Sequence, residues 1–391
     1  MLEYFEIRSL FGLYSYHLDF RNQEGWPLKF ITGPNGYGKT TILSLINFLY
    51  TGQLHEFFSV PFDYMEFGFT DETMTFRQVY SYDSQKGTDD DTMRIPEKLE
   101  VTLQNGTEQS ISFFLYGNDE GNEPSLKMYL YSKSGYYIKD QRLVRKISDL
   151  DKYQSEDVPA VDDNAEDLGR RLTAVSNQIN ETLQSMLFSS NGISDGEIAQ
   201  DDYNIRRECI LRDASVLKKF GILHDNFTVF EYNSRSSAFL KTYIETIERA
   251  FADAEDFVAK LVTFSDTITD YGFADKDMEI HPGYGYRFRM KNDDKTILLP
   301  ERLSSGEQHI LILTYELIFK AQDDSLVLID EPEMSFHMIW QLEFLKAIKK
   351  IMMIRHSRIQ CIVATHSPQI FDSRWDMTVD LYEQSQKNRE A

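Results

Sequence analysis

The sequence predicts an α/β fold: a mostly parallel core sheet, an antiparallel β lobe and an inserted helical lobe. Three observations predict it. Strands and helices alternate at both ends of the chain, over about 28–50 and 307–364, which points to one core assembled from two separated segments. Alternation at period two fills residues 64–138, the mark of half-buried antiparallel strands. Apolar residues recurring every three or four positions fill about 165–264, the mark of amphipathic helices. The resulting division is a core from 1–60 and 278–391, an antiparallel lobe from 61–150, an acidic linker at 151–167 and a helical lobe from 168–277.

Taken in order, Tyr4 to Leu10 and Tyr14 to Phe20 read as a hairpin turned at Gly12, and Leu28 to Thr32 as a short apolar strand. A helix follows to about Tyr50, with Gly52 placed to end it. Met74–Ser81, Leu99–Leu103, Ser110–Tyr116 and Lys127–Ile138 read as strands of the antiparallel lobe, with Asn105-Gly106 as a hairpin turn. Helices are expected over 165–188, 206–220, 236–252 and on to about 264. Period two returns over 278–290 and 296–299. A helix from Glu307, a strand at 326–329, a helix at 340–354 and a strand at 359–364 close the chain. No heptad pattern persists, so a long coiled coil is not expected.

Composition narrows the function. The 391 residues, 41% hydrophobic and 27% charged, suffice for a large core and exclude a disordered chain. No apolar run approaches the roughly 18 residues that span a bilayer, so no membrane association is expected. Acids at Glu3 and Glu6 stand where an export signal carries bases, and two lone cysteines, Cys209 and Cys361, suit a reducing, cytoplasmic compartment. With 41 bases against 63 acids the net charge is −22, which disfavours nucleic acid, held mainly through Lys and Arg on phosphates. Lys346, Lys349, Lys350, Arg355 and Arg358, and the smaller group Arg142, Arg145 and Lys146, are the local exceptions, each equally readable as a solvated face.

Gly33-Pro34-Asn35-Gly36-Tyr37-Gly38-Lys39-Thr40 fits G-x-x-x-x-G-K-[ST] between a predicted strand and a predicted helix. Its glycines let backbone N–H groups point inward at phosphate oxygens, and the helix start adds its positive dipole end. Lys39 supplies a charge for the β- and γ-phosphates of ATP, Thr40 a hydroxyl for Mg²⁺, and Thr41 extends the cradle into the helix. A second site residue group follows the aliphatic run Leu326-Val327-Leu328-Ile329. Such a strand belongs in the middle of a parallel sheet, whose C-terminal tips hold ligands. Asp330 is placed there to hold Mg²⁺ and Glu331 to take a proton from the water attacking the γ-phosphate. Read alone, the same acids would merely end a strand in a solvated turn. Ile362 to Ala364 forms another apolar strand, which brings His366 to the same edge.

Leu303-Ser304-Ser305-Gly306-Glu307-Gln308 precedes an apolar helix. Ser304 or Ser305 can cap it, and in isolation this is only a sound helix start. Together, the phosphate loop, this hexapeptide, the strand ending Asp330-Glu331 and the strand ending at His366 resemble, in that order, the ABC-type ATPases. The nearest branch holds Rad50, SMC and RecF with the overcoming-lysogenization-defect nucleases. Phe5 to Phe11, Phe30 to Gly36 and Asp330 to His337 carry the same likeness. It covers roughly 1–50 and 278–370.

The resemblance implies a signature motif at 303–308 that acts in trans: Ser304, Ser305, Gly306 and Glu307 approach the nucleotide of another subunit, giving a homodimer or higher homo-oligomer. Ser305 departs from the glycine usual in transporter heads. Glu333 to His337 would be the D-loop and His366 the switch histidine, with Gln78 the best candidate for the Q-loop. The 262 residues between Thr40 and Leu303 are too few for long SMC arms, and the 25 after His366 too few for a Toprim nuclease. The chain therefore resembles stand-alone ATPases that regulate a separate effector nuclease in anti-phage systems such as Septu or PARIS. An ATP-gated DNA repair clamp and an ATP-dependent scaffold with little turnover are the alternatives.

Overall fold

In the computed structural model, residues 1–21, 26–81, 95–105, 110–116, 133–140, 143–148, 155–188, 196–354 and 359–390 are described. The chain divides into two units, Met1–Asp140 with Phe319–Ala391, and Gln141–Ile318.

The first unit opens with β1 (Leu2–Leu10), β2 (Tyr14–Asp19), β3 (Leu28–Thr32) and α1 (Lys39–Thr51). It continues with β4 (Tyr64–Phe69), β5 (Glu72–Ser81), β6 (Ile95–Asn105), β7 (Ser110–Tyr116) and β8 (Gly135–Ile138). The second unit holds β9 (Val144–Ser148), β10 (Ser155–Pro159), α2 (Ala160–Phe188), α3 (Gln200–Lys219), α4 (Ser237–Ala252) and α5 (Glu255–Tyr271). Its remaining elements are β11 (Lys276–His281), β12 (Gly285–Met290), β13 (Asp293–Leu298) and α6 (Ser305–Tyr315). A π-helical turn, Glu316–Lys320, continues α6. The chain returns to the first unit with β14 (Leu326–Asp330), α7 (Met338–Ile354), β15 (Gln360–Thr365), β16 (Thr378–Asp380) and α8 (Leu381–Glu390).

Five strands make the core sheet in the order β16-β3-β15-β14-β8, every pairing parallel. All residues of β14 and β15 are buried, as a strand covered on both faces requires. The other sheet of this unit runs β2-β1-β4-β5-β6-β7, antiparallel throughout. Ile42, Leu45, Ile46 and Leu49 of α1 share one apolar cluster with Phe5, Phe67 and Phe76 of the antiparallel sheet and Leu328 and Ile362 of the parallel one. The helix ends at Gly52, whose φ of 68° supplies the left-handed cap expected there. The architecture is that of an ABC-type ATPase head: parallel core, antiparallel lobe, inserted helical region.

Four features differ from the sequence expectation. Gly135–Ile138, grouped with the antiparallel lobe, pairs in parallel with β14 and extends the core sheet. β1 and β2, grouped with the core, belong to the antiparallel sheet, and residues 278–318 fall in the second unit. The acidic stretch read as a linker is, from Ser155 on, β10 and the first turns of α2; Val161, Ala165, Leu168 and Leu172 are buried on one helical face while the acids take the other positions. Asp89 to Asp91, Gly106, Arg142, Arg355 and Arg358 lie outside the described residues.

In the second unit, Tyr286, Phe264 and Tyr315 form an aromatic centre with centroids 5.8–6.4 Å apart. The Tyr286 hydroxyl donates to Val161 O at 2.7 Å, and that of Tyr315 to Asp167 at 2.6 Å. Gly285 brings the β11–β12 turn against α2. A Cβ there would stand 1.7 Å from Ala165 O, and its φ is +69°, so only glycine permits this approach.

Candidate nucleotide site

The site of the first unit is built at the C-terminal tips of three neighbouring strands. β3 runs into the glycine loop, β14 into Asp330-Glu331 and β15 into Thr365-His366, so the parallel register delivers all three to one edge. Gly36 and Gly38 adopt φ of 87° and 88°, left-handed values that let the loop curl over the start of α1. Asn35, Gly36, Gly38, Lys39, Thr40, Thr41 and Glu331 line a cavity of about 360 Å³ together with Phe11. Nothing lies within 4 Å of where a Gly36 Cβ would stand, so the loop's inner backbone is open. Tyr37 does not line the cavity: its ring packs on Tyr14 and Tyr382, and its carbonyl accepts the Tyr16 hydroxyl at 2.9 Å.

Lys39 is 5% exposed, and its Nζ donates to Gly33 O at 2.8 Å and Pro34 O at 3.4 Å. It also stands 3.3 Å from Glu331 Oε1. Asp330 is buried; its Oδ2 accepts the Tyr137 hydroxyl at 3.2 Å, and its Oδ1 has no hydrogen-bond partner. Burial pushes the Asp330 carboxyl above the usual aspartate value, while hydrogen bonds from Thr40 and Tyr137 pull it back. A buried carboxylate oxygen without a donor, beside a threonine hydroxyl at a phosphate cradle, suits a hard divalent cation such as Mg²⁺.

Glu331 is held at φ 43°, with its N–H donating to Ala364 O at 2.9 Å. Its Oε2 meets His366 Nδ1 at 2.5 Å, and Glu333 Oε1 lies 3.2 Å from the same nitrogen. Glu333 is 5% exposed. Its Oε1 accepts the Thr365 hydroxyl, the His366 N–H at 3.0 Å and the Ser367 N–H at 3.2 Å. Burial raises the Glu333 carboxyl above its usual range, with the Thr365 hydroxyl opposing. The ligand atoms of Glu331, Glu333 and His366 lie within 4.8 Å of one another, close enough to surround an ion. The three donors on Glu333 Oε1 and the carboxylates on His366 Nδ1 make this a hydrogen-bonded cluster instead.

Gln78, Tyr137 and Glu333 differ from the sequence expectation. Gln78 is not placed as a Q-loop glutamine. It is buried, its Nε2 donates to Phe57 O at 2.7 Å and Val60 O at 2.9 Å, and its Oε1 accepts the Phe62 N–H and the Tyr80 hydroxyl. Three of these four hydrogen bonds pin residues 57–62. Tyr137 joins the site through a strand that the sequence placed in the other sheet. Glu333, read only as part of a loop, proves to be buried under the tip of β15.

Residues 303–308, expected to act in trans, belong to the second unit. Ser304 caps α6 in a capping box: the Ser304 hydroxyl accepts the Glu307 N–H, and Glu307 Oε2 accepts the Ser304 N–H at 2.9 Å. Glu307 Oε1 accepts Lys276 Nζ at 2.7 Å. Burial would raise the Glu307 carboxyl, but Lys276 and the Ser304 donors outweigh it and hold it below the usual value. The Glu307 carboxylate is thus occupied within its own helix start. Ser304 and Ser305 are exposed, Gly306 and Glu307 buried. Of the basic cluster, Lys346 pairs with Glu343 at 2.9 Å and Lys349 lies over the Trp26 ring. Among the described residues no helix is long and apolar enough to cross a membrane.

No curated protein matches the chain. Two solved structures are similar at 13% identity and a TM-score of 0.37. One is the Smc head domain with an extended coiled coil bound to the C-terminal domain of ScpA, from Pyrococcus furiosus, covering 95% of this chain and 90% of that one. The other is the SmcHead bound to the C-winged helix domain of ScpA, covering 94% and 90%. The family described as "AAA domain, putative AbiEii toxin, Type IV TA system" matches residues 30–372. With the phosphate loop, the β14 acids and His366 all inside that span, the chain belongs to this family of AAA-domain proteins.

Proposed function

We propose that this protein binds ATP with Mg²⁺ and hydrolyses it, that two copies associate through their nucleotide faces, and that the cycle controls a separately encoded effector nuclease in anti-phage defence. One observation carries the ATPase reading: Lys39, buried in the glycine loop, shares one strand-tip edge with Asp330, Glu331 and His366. The family description, with its putative toxin, supports the defence setting.

In this reading the loop N–H groups and Lys39 hold the phosphates, and Thr40 and Asp330 hold Mg²⁺. The ion, when bound, would neutralise negative charge on the phosphates. Glu331 Oε1, released from Lys39 by the phosphates, accepts the proton of the attacking water, and His366, hydrogen-bonded to Oε2, keeps the carboxylate in place. The exposed Ser304–Ser305 tip of α6 seals the nucleotide of a second copy. Loss of the γ-phosphate then removes the contacts that join the copies.

Phosphate release tests the reading. Wild-type protein should turn over ATP with Mg²⁺, and Glu331→Gln should lose about 10²–10⁴-fold of that rate while binding ATP. Turnover by Glu331→Gln at the wild-type rate would rule out Glu331 as the base. A wild type that binds no ATP would end the proposal.

A further inference from the structure

We infer that Glu333 is a positioning residue for the hydrolysis proposed above, fixing the tip of β15 and through it the His366 imidazole beside Glu331; the inference rests on that reading. Glu333 follows Pro332 in the turn between β14 and α7, yet its side chain is 3% exposed, whereas that of His366 is 53% exposed. A carboxylate is not withdrawn from water without compensation, and here the compensation is concentrated on one atom. Glu333 Oε1 accepts from three consecutive residues: the hydroxyl of Thr365 and the N–H groups of His366 and Ser367. Thr365 Oγ1 in turn accepts the Ser367 N–H at 3.0 Å, and the Ser367 hydroxyl contacts Gln341 and Gln369 at 2.7 Å. The backbone carrying His366 is therefore tied on both sides of the histidine.

The ring itself is then aimed. An exposed imidazole on a free loop samples several rotamers. In this site Glu331 and Glu333 meet the same nitrogen, Nδ1, at 2.5 and 3.2 Å. Engaging Nδ1–H on the carboxylates leaves Nε2 to accept from a water or, in the imidazolium form, to donate to a phosphate oxygen. Glu333 thereby links the two strand tips that carry the proposed base and its histidine: it leaves β14 two residues after Glu331 and ends on β15.

Three variants separate hydrogen-bond geometry from general structure. Glu333→Gln keeps an acceptor oxygen of the same reach. Glu333→Asp keeps the charge but withdraws the oxygen by one methylene, and Glu333→Ala removes it. We expect Glu333→Gln to retain at least one third of the wild-type kcat for ATP, and Glu333→Asp and Glu333→Ala to fall at least tenfold. The KM and the Kd for a fluorescent ATP analogue should stay within twofold in all three. In nucleotide-free protein, the ¹⁵N signal of His366 Nδ1, assigned with His366→Asn, should move in Glu333→Asp and hold in Glu333→Gln.

Wild-type kcat in Glu333→Asp overturns the inference. So does an equal loss in Glu333→Gln and Glu333→Ala, or a loss that appears as weaker ATP binding. If Glu333→Ala does not fold, Glu333→Asp carries the comparison. A wild type without ATP turnover would defeat the hydrolysis reading instead. The imidazole signal, read without nucleotide, would still decide whether Glu333 holds His366.

Discussion

Glu331 Oε1 stands 3.3 Å from Lys39 Nζ, so the proposed base and the proposed phosphate-binding lysine form one ion pair. The other oxygen of Glu331 meets His366, and the carboxylate bridges the glycine loop and the tip of β15. Phosphates entering the loop compete with Glu331 for the same ammonium. Nucleotide binding and the freeing of the base are then a single exchange of partners.

That exchange makes opposite predictions for its two members. Lys39→Met removes the charge that meets the phosphates, and hydrogen bonds to charged groups are worth about 1.5–3 kcal/mol. ATP affinity should fall roughly 10–100-fold by titration calorimetry. Glu331→Gln removes the competitor, so ATP should bind at least as tightly as to wild type. Weaker binding by Glu331→Gln would show that the ion pair does not oppose the nucleotide.

Asp330 gives a pH signature. Its carboxyl is raised by burial, so the folded state carries a penalty for the charged form. The penalty is absent below the ordinary aspartate value near 3.8 and complete once the pH exceeds the raised folded value. Without metal, Asp330→Asn should therefore melt higher than wild type at pH 7.5. The gap should close as the pH falls towards 4. Mg²⁺ with ATP should stabilise the wild type more than the variant. A melting difference that ignores pH would remove burial of the charge as its cause.

Lys276 and Glu307 should show the reverse slope. Their side chains are 18% and 6% exposed, and removing one member of a buried pair strands the other. Lys276→Met should cost about 3 kcal/mol in urea unfolding at pH 7. Because the folded Glu307 value is lowered, the stability it contributes is present above the ordinary glutamate value near 4.5 and lost as the pH falls through the folded value. The cost of Lys276→Met should shrink over that range. An undiminished cost below it would mean that lost packing, not charge, is responsible.

The readable parts of the site were those where one residue pattern admits one environment. Four aliphatics in a row at 326–329 and the run Ile362 to Ala364 fit only strands covered on both faces, so Asp330, Glu331 and His366 were placed from sequence. The glycine loop was legible because its spacing is a backbone requirement. Gly135–Ile138 was misplaced because its partner β14 lies almost two hundred residues away, and nothing local distinguishes a parallel edge strand from another antiparallel one. The start of α2 was hidden by composition: its acids drew attention from the 161, 165, 168, 172 spacing beneath them. Glu333 was expected only as the start of the D-loop, and no local pattern marks the turn that buries it under the tip of β15.

The proposed association of two copies would use the exposed serines of α6. Ser304 is engaged in the capping box with Glu307, so replacing it would disturb the helix as well as any contact in trans. Ser305, the first helical residue, is exposed, and no hydrogen bond of its side chain is needed for the cap. Ser305→Arg should therefore leave the melting temperature within about 2 °C of wild type, as surface substitutions usually do. It should also leave the ATP affinity of the single copy, measured at a concentration too low for association, unchanged, because the phosphate loop is a different segment. What it should remove is the doubling of mass that Glu331→Gln is expected to show with ATP in light scattering, since a bulky cation would stand where a small hydroxyl meets the partner's nucleotide. If the Ser305→Arg, Glu331→Gln double variant still doubles its mass with ATP, the copies associate through another surface, and the trans role of the serine tip is lost while ATP binding at Lys39 stands.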